Sequence, residues 1–161
     1  MTKRPSTSDE RTPQGGLVEA SLSRVLGYHL AQANIASRQI FKDRVGTPYD
    51  LRPVEYTLLT LVHENPGVSA KKLANALAVT APNITMWVDK LESRGLVARE
   101  RSAADRRAQH IRTTEAGSKL AREATAQLIE SQRDHFDLLS HAELALLLEL
   151  LHKVARTRKQ T

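Results

Sequence analysis

The stretch SAKKLANALAVTAPNITMWVDKLESRG, residues 69–95, limits the possible folds more than any other part of the chain. It holds two short helices, each with its own start signal, separated by only a few residues. Ser69 precedes AKKLANAL and Thr80 precedes APNITMWVDKLESR, and either hydroxyl suits the N-cap position, where an oxygen accepts from a first-turn amide. Pro82 lies inside the second helix's first turn, where its missing N–H removes no bond, and Gly95 supplies the C-terminal exit. Each helix carries one narrow apolar stripe: Leu73, Ala74 and Leu77 on the first, Ile84, Trp87, Val88 and Leu91 on the second. Two short, turn-linked helices of this kind have the form of a helix-turn-helix.

Longer helices are expected on both sides. Val18, Leu22, Val25, His29, Ala33, Ala36 and Ile40 recur at three- or four-residue steps, predicting a helix from about 17 to 45 that Gly46 and Pro48 end. Residues 1–16 mix Pro, Gly, Ser, Thr and charge without periodicity and read as a disordered tail. Pro53 opens PVEYTLLTLVHEN, which NPG at 65–67 stops. After residue 114, TEAGSKLAREATAQLIESQRDHFDLL predicts a long amphipathic helix, and Ser140 with Glu143 forms a capping box that starts AELALLLELLHKVAR. Leu144, Leu146, Leu147, Leu148, Leu150 and Leu151 cannot share one stripe, so a lone chain would leave some of them wet. The expected division is a tail (1–16), a first interface-building helix (17–50), a compact central module (51–114) and C-terminal interface-building helices (115–158).

Between the reader and the last helices, LVARER and AQHIRT flank the loop SAAD and predict a β-hairpin. From Arg94 to Arg112 there are six arginines (94, 99, 101, 106, 107, 112) against only Glu100 and Asp105, a surplus of four within a chain whose net charge is +6. Such a basic segment beside a helix-turn-helix points to a polyanionic partner. Arginine's planar fork suits phosphate oxygens and a narrow minor groove. In extended chain, positions 105 and 107 share a side, so Asp105 can orient the Arg107 guanidinium. An exposed pair of this kind contributes only about 0–1 kcal/mol, so aiming the arginine at a ligand explains it better than stability does.

The aromatic content is only 4%, so a core must rest on Leu, Val, Ile and Ala, a mix that favours packed helices. The absence of cysteine excludes disulfides and thiolate chemistry and fits a reducing cytoplasm. The opening residues have no apolar stretch of the secretory type, and LALLLELL is too short to cross a bilayer. Histidines 29, 63, 110, 135, 141 and 152 lack metal-ligand spacing, and no Gly-rich phosphate loop, GxSxG or HExxH occurs, so neither a cofactor, a metal nor catalysis is expected.

At VDKLESRGLVARERSAADRRAQHIRTTEAG the chain resembles the MarR family of winged helix-turn-helix regulators. The pattern is the end of a recognition helix, a glycine, a first wing strand, an Asp-x-Arg wing tip and a threonine-capped helix. SAKKLANALAVTAPNIT fits the family's two-helix reader, and the likeness spans nearly all of residues 17–157. It implies a mainly α fold with a small β-hairpin and a homodimer built by the terminal helices. It also implies a pseudo-palindromic double-stranded DNA partner, read by a recognition helix in the major groove and a wing arginine in the minor groove. By position, Thr80, Asn83, Thr85 and Met86 would face bases or phosphates, Lys90 the backbone, and Arg107 the minor groove with Asp105 as its orienter. Ser69, Ala81, Pro82 and Arg106 complete that DNA-binding set. Trp87 matches an inward-facing apolar site.

Three positions depart from the family's habit. Asn83 stands where many relatives have a small polar residue, Met86 where arginine is common, and Arg52 where a threonine usually caps the helix at Pro53. Asn pairs with an adenine edge and Met touches a thymine methyl, which leans the expected operator toward A·T. Relatives bind small phenolic or other anionic effectors between the dimer layer and the reader, and Tyr28, His29 and Tyr56 are the residues here that could reach such a crevice. The resulting expectation is a dimeric, sequence-specific repressor released by a small ligand. A winged-helix architectural protein without sequence preference is the alternative, and a helical interaction module is a third reading that leaves the basic wing unexplained.

Overall fold

The computed structural model describes residues 11–101 and 109–158. The helices are α1 (Leu26–Phe41), α2 (Thr47–Tyr49), α3 (Pro53–Glu64), α4 (Ala70–Leu77), α5 (Ala81–Ser93), α6 (Glu115–His135) and α7 (His141–Arg156). One antiparallel hairpin, β1 (Val97–Arg101) and β2 (Gln109–Thr113), lies between α5 and α6. The fold is therefore mainly helical with the expected small hairpin.

The first helix differs from its sequence reading at both ends. Val18, Leu22 and Val25 keep helical spacing but lie in a turn-rich segment, and α1 begins only at Leu26. Leu17, Val18, Leu22 and Val25 are all exposed. Without a surface to pack on, a short amphipathic turn does not repay its ordering entropy, whatever its periodicity. At the other end Gly46 and Pro48 do not stop the chain. A π-helical turn, Lys42–Gly46, runs into α2, and the Thr47 N–H donates to the Lys42 carbonyl five residues back. The wider turn accommodates Pro48 early in α2, where its lost donor does little harm. Asp50, left-handed at φ 48°, makes the actual break. Likewise α6 ends at His135, not at Leu139, and the turn Phe136–Ser140 leads to α7.

The reader closes its own core. Leu58, Leu59 and Val62 of α3, Leu73 of α4, Ile84, Val88 and Leu91 of α5, and Val97 and Ile111 of the hairpin are fully or nearly fully buried together. Val45 and Leu51, which flank α2, and Ala121 and Ala124 of α6 complete this cluster. Trp87 packs half-buried against it, inward as expected.

Three local devices fix the wing's base. Val68, in the turn after α3, forms a bridge to Ile111 of β2, adding a one-residue third strand that the sequence did not announce: Gly67 N–H donates to the Ile111 carbonyl at 3.0 Å and Ile111 N–H to that of Val68 at 2.9 Å. Thr114 caps α6, accepting from Gly117 N–H at 3.0 Å while its hydroxyl donates to the Gly95 carbonyl at 2.7 Å. Gly117 itself lies so close to β1 that a Cβ there would fall 1.8 Å from the Leu96 carbonyl oxygen.

α7 behaves differently, having no buried residue at all. Leu146, Leu147, Leu148, Leu150 and Val154 are exposed on it, as are Leu26, Leu30 and Ile35 on α1 and Ile129 on α6. Among the described residues no helix is long and apolar enough to cross a membrane.

Candidate nucleic-acid interface

α5 sorts its residues by face. Ile84, Val88 and Leu91 are buried, while Ala81, Pro82, Asn83, Thr85 and Met86 are exposed, Met86 by 55%. Thr80 occupies the N-cap position, yet its side chain makes no capping bond and stays exposed beside Asn83. Ser69 does cap α4, accepting from Lys72 N–H at 3.3 Å, and is half-buried. Thr85 donates its hydroxyl to the Ala81 carbonyl at 3.2 Å. The left-handed Ala78, at φ 53°, makes the turn between the two helices. One short helix thus presents a polar and thioether face to solvent from a rigid apolar base.

Lys90, expected to face the DNA backbone, has a partner within the chain that the sequence reading did not include. Its ammonium donates to Glu55 of α3 at 2.8 Å, and the Glu55 side chain is only 1% exposed. The other Glu55 oxygen accepts the Arg52 N–H at 3.0 Å. Arg52 has no side-chain acceptor, so of a reciprocal capping pair only the half that Glu55 supplies can form here. Burial pushes the Glu55 carboxyl up, but the Arg52 amide, the Lys90 hydrogen bond and the charges of Lys90 and Arg52 outweigh it, and the group titrates below its ordinary value. Lys90 therefore fastens the recognition helix to α3, and the sequence reading missed Glu55 because the partners lie 35 positions apart.

The wing is tied to α5 and braced across its strands. Arg99 meets the carboxylates of Asp89 and Glu92, and Arg112 donates to Glu100 at 2.8 Å across the hairpin. Asp105, Arg106 and Arg107, the expected wing-tip contacts, lie outside the described residues. Arg94, at the end of α5, forks onto the carbonyls of Asp50 (2.6 Å) and Tyr49 (2.8 Å), fixing the recognition helix to the break after α2.

The three expected effector residues do not come together. Tyr56 lines a cavity of about 220 Å³ between α1, α3 and α6, with Asn34, Arg38, Phe41, Leu128 and Gln132 among its other walls. Its hydroxyl shares a hydrogen bond with Thr125 at 2.9 Å. Tyr28 lies elsewhere, its hydroxyl on the Glu19 carboxylate, an acceptor that raises the phenol above its ordinary range together with burial and the Glu19 charge. His29 is exposed and its ring pairs with the Ser23 carbonyl at 2.8 Å. Tyr28 and His29 stand in the first turn of α1, whereas the α1 walls of the cavity begin at Asn34, so of the three only Tyr56, on α3, lines it. Among the described residues no group of three His, Asp or Glu side chains could hold a metal ion.

A two-helix reader on a closed apolar base, followed by a hairpin and flanked by long helices, defines a winged helix-turn-helix protein. The MarR family profile matches residues 51–108. A Thauera aromatica protein assigned to transcriptional regulation of the hcr operon is 31% identical over 145 residues, spanning 90% of this chain and 87% of its own. Among solved structures, the transcriptional repressor CouR bound to a 23-mer DNA duplex is 31% identical with a TM-score of 0.78, covering 86% of this chain and 98% of that one. CouR from Rhodococcus jostii RHA1 bound to p-coumaroyl-CoA gives 27% and 0.72, over 83% and 94%. The chain belongs to the MarR family of transcriptional regulators.

Proposed function

We propose that this chain is a homodimeric, sequence-specific DNA-binding repressor released by a small phenolic or otherwise anionic ligand. Residues 51–114 are the reader, and 17–50 with 115–158 the dimerisation layer. The observation that carries the reading is the exposed face of α5, Thr80 to Met86, standing on a buried base and followed directly by the arginine-rich hairpin. Asn83 and Met86 read base edges, Thr80 and Thr85 bases or phosphates, and Ser69, Ala81 and Pro82 approach the backbone at the helix N-termini. Arg106 and Arg107 enter from the wing, Arg107 into the minor groove, aimed by Asp105. Lys90 faces the DNA backbone while its bond to Glu55 anchors α5.

The similarity to DNA-bound CouR supports the partner, and that to CouR bound to p-coumaroyl-CoA supports an aromatic acid derivative as the effector class. Of the cavity walls, Arg38, Asn34 and Gln132 are polar groups suited to an anionic ring substituent, and Phe41 and Leu128 are apolar groups suited to the ring. The ligand releases DNA only if it binds the two conformations of the dimer unequally.

The test is an affinity titration of wild type and Arg107→Ala on a selected operator at fixed salt, with excess random duplex as competitor. The variant is expected to lose operator affinity by about tenfold or more, the scale of one lost groove contact, with its dimer intact. Unchanged affinity refutes the wing assignment, and ready displacement of wild type by random duplex favours the architectural alternative.

A further inference from the structure

Arg99 has a role that the interface above does not use. Its guanidinium meets Asp89 and Glu92, residues one turn apart on α5. Its Nη2 also reaches the Thr85 carbonyl at 3.5 Å, and its backbone N–H donates to Glu92 at 3.2 Å. One residue of β1 thus contacts α5 at positions 85, 89 and 92, across two turns of the recognition helix. Only 23% of the Arg99 side chain is exposed.

The rung at which this happens matters. Arg99 pairs with Ile111, which is buried and bridged to Val68. The next residue, Glu100, lies on the opposite side of the strand, exposed and paired with Arg112. Arg99 therefore stands where the hairpin leaves the core, at the pivot about which the rest of the wing would tilt against α5. With two carboxylates around one guanidinium, it has no charge to spare for a phosphate, and it masks Asp89 and Glu92 on a helix that must approach a polyanion.

We infer that Arg99 is a positioning residue for sequence reading: by clamping β1 to Asp89 and Glu92 it fixes the angle between wing and recognition helix, so that two grooves are read in one register. The inference rests on the DNA-binding reading above. A contact that sets relative placement acts on the specific complex, where both elements must fit at once, and spares random DNA, where either suffices.

The experiment uses the full chain as wild type, Arg99→Gln, Arg99→Lys and the double variant Asp89→Asn/Glu92→Gln. Each is titrated with the selected operator duplex and with a random duplex across a salt series, and its folding is followed by circular dichroism at the assay temperature. Arg99→Gln is expected to lose roughly tenfold more affinity for the operator than for the random duplex, on the scale of one mismatched base pair, the random-duplex affinity itself falling modestly as Asp89 and Glu92 are unmasked. Its slope of log affinity against log salt stays that of wild type, because no phosphate contact is lost. Arg99→Lys, which keeps the charge but cannot fork between two carboxylates, recovers only part of the loss and keeps the fold should the glutamine variant unfold. The double variant also loses discrimination, while its random-duplex affinity rises as two anions disappear. Equal losses on both duplexes with a salt slope shallower by about one would make Arg99 a phosphate contact and overturn the inference. So would undiminished discrimination in Arg99→Gln. Wild type that binds both duplexes equally removes the DNA-reading account itself, a result recognisable before any variant is measured.

Discussion

The reader and the terminal helices solve the burial problem in opposite ways. Between Val45 and Ala124 the apolar side chains meet one another within the chain, and the ion pair Glu55–Lys90 is folded into the same block. In α7 no residue is buried, and leucines lie exposed there as they do on α1. Both regions are rich in aliphatic residues; only one has found its second surface. The contrast teaches that the chain carries one apolar module closed within itself and, on α1 and α7, an aliphatic layer left open, which the proposed homodimer would cover.

The largest effect is expected where the two regions touch. Gly117→Ala would force a Cβ into the Leu96 carbonyl, and backbone that close cannot yield as a side-chain end could. We expect a loss of about 3 kcal/mol or more, the upper range for overpacking, read as a lowered denaturation midpoint with the reader affected first.

Lys90→Met is expected to cost about 2–3 kcal/mol, since it leaves a buried carboxylate with fewer partners, while the partial exposure of Lys90 keeps the loss below that of a fully buried pair. Its pH dependence separates this pair from surface charge. The Glu55 carboxyl is depressed from its ordinary 4.5, so its stabilising contribution is fully present above that value and disappears as the pH falls through the lower folded value. The gap between wild type and Lys90→Met should therefore narrow in acid, as measured by urea titrations at stepped pH. A gap independent of pH would assign the cost to lost packing alone.

Ser140→Ala sharpens the other side of the comparison. It removes the side-chain half of the α7 capping box, in which the Ser140 hydroxyl accepts from Glu143 N–H at 3.3 Å, and leaves the backbone N–H of residue 140, which Glu143 accepts at 2.8 Å, in place. The expected cost is about 1 kcal/mol, and it should appear in subunit association while the reader's own unfolding is unaffected. An equal effect on both would mean that α7 belongs to the reader's cooperative unit.

What the sequence disclosed follows the same line. The helix-turn-helix, the hairpin strands, the Ser69 and Ser140 caps and the exit at Gly95 depend on neighbours within a few residues, so spacing and cap chemistry revealed them, while the Thr114 cap came from the family pattern. The late start of α1 was hidden because Val18, Leu22 and Val25 have the right period but nothing to pack on. Gly46 and Pro48 read as a stop because a π-turn leaves no sequence mark. Glu55, Asp89, Glu92 and the Val68 bridge were missed for one reason: each acts on a residue brought near only by the fold. Of the candidate site, the exposed face of α5 was legible in advance, whereas the anchoring of Lys90 and Arg99 beneath it was not.

Selection of bound sequences from a random duplex pool, using wild-type protein, tests the pairing of the two modules directly. Two copies joined through their exposed aliphatic faces should recover inverted half-sites with centres about one helical turn apart, near 34 Å. A single, unrepeated half-site, or no shared sequence at all, would contradict the account.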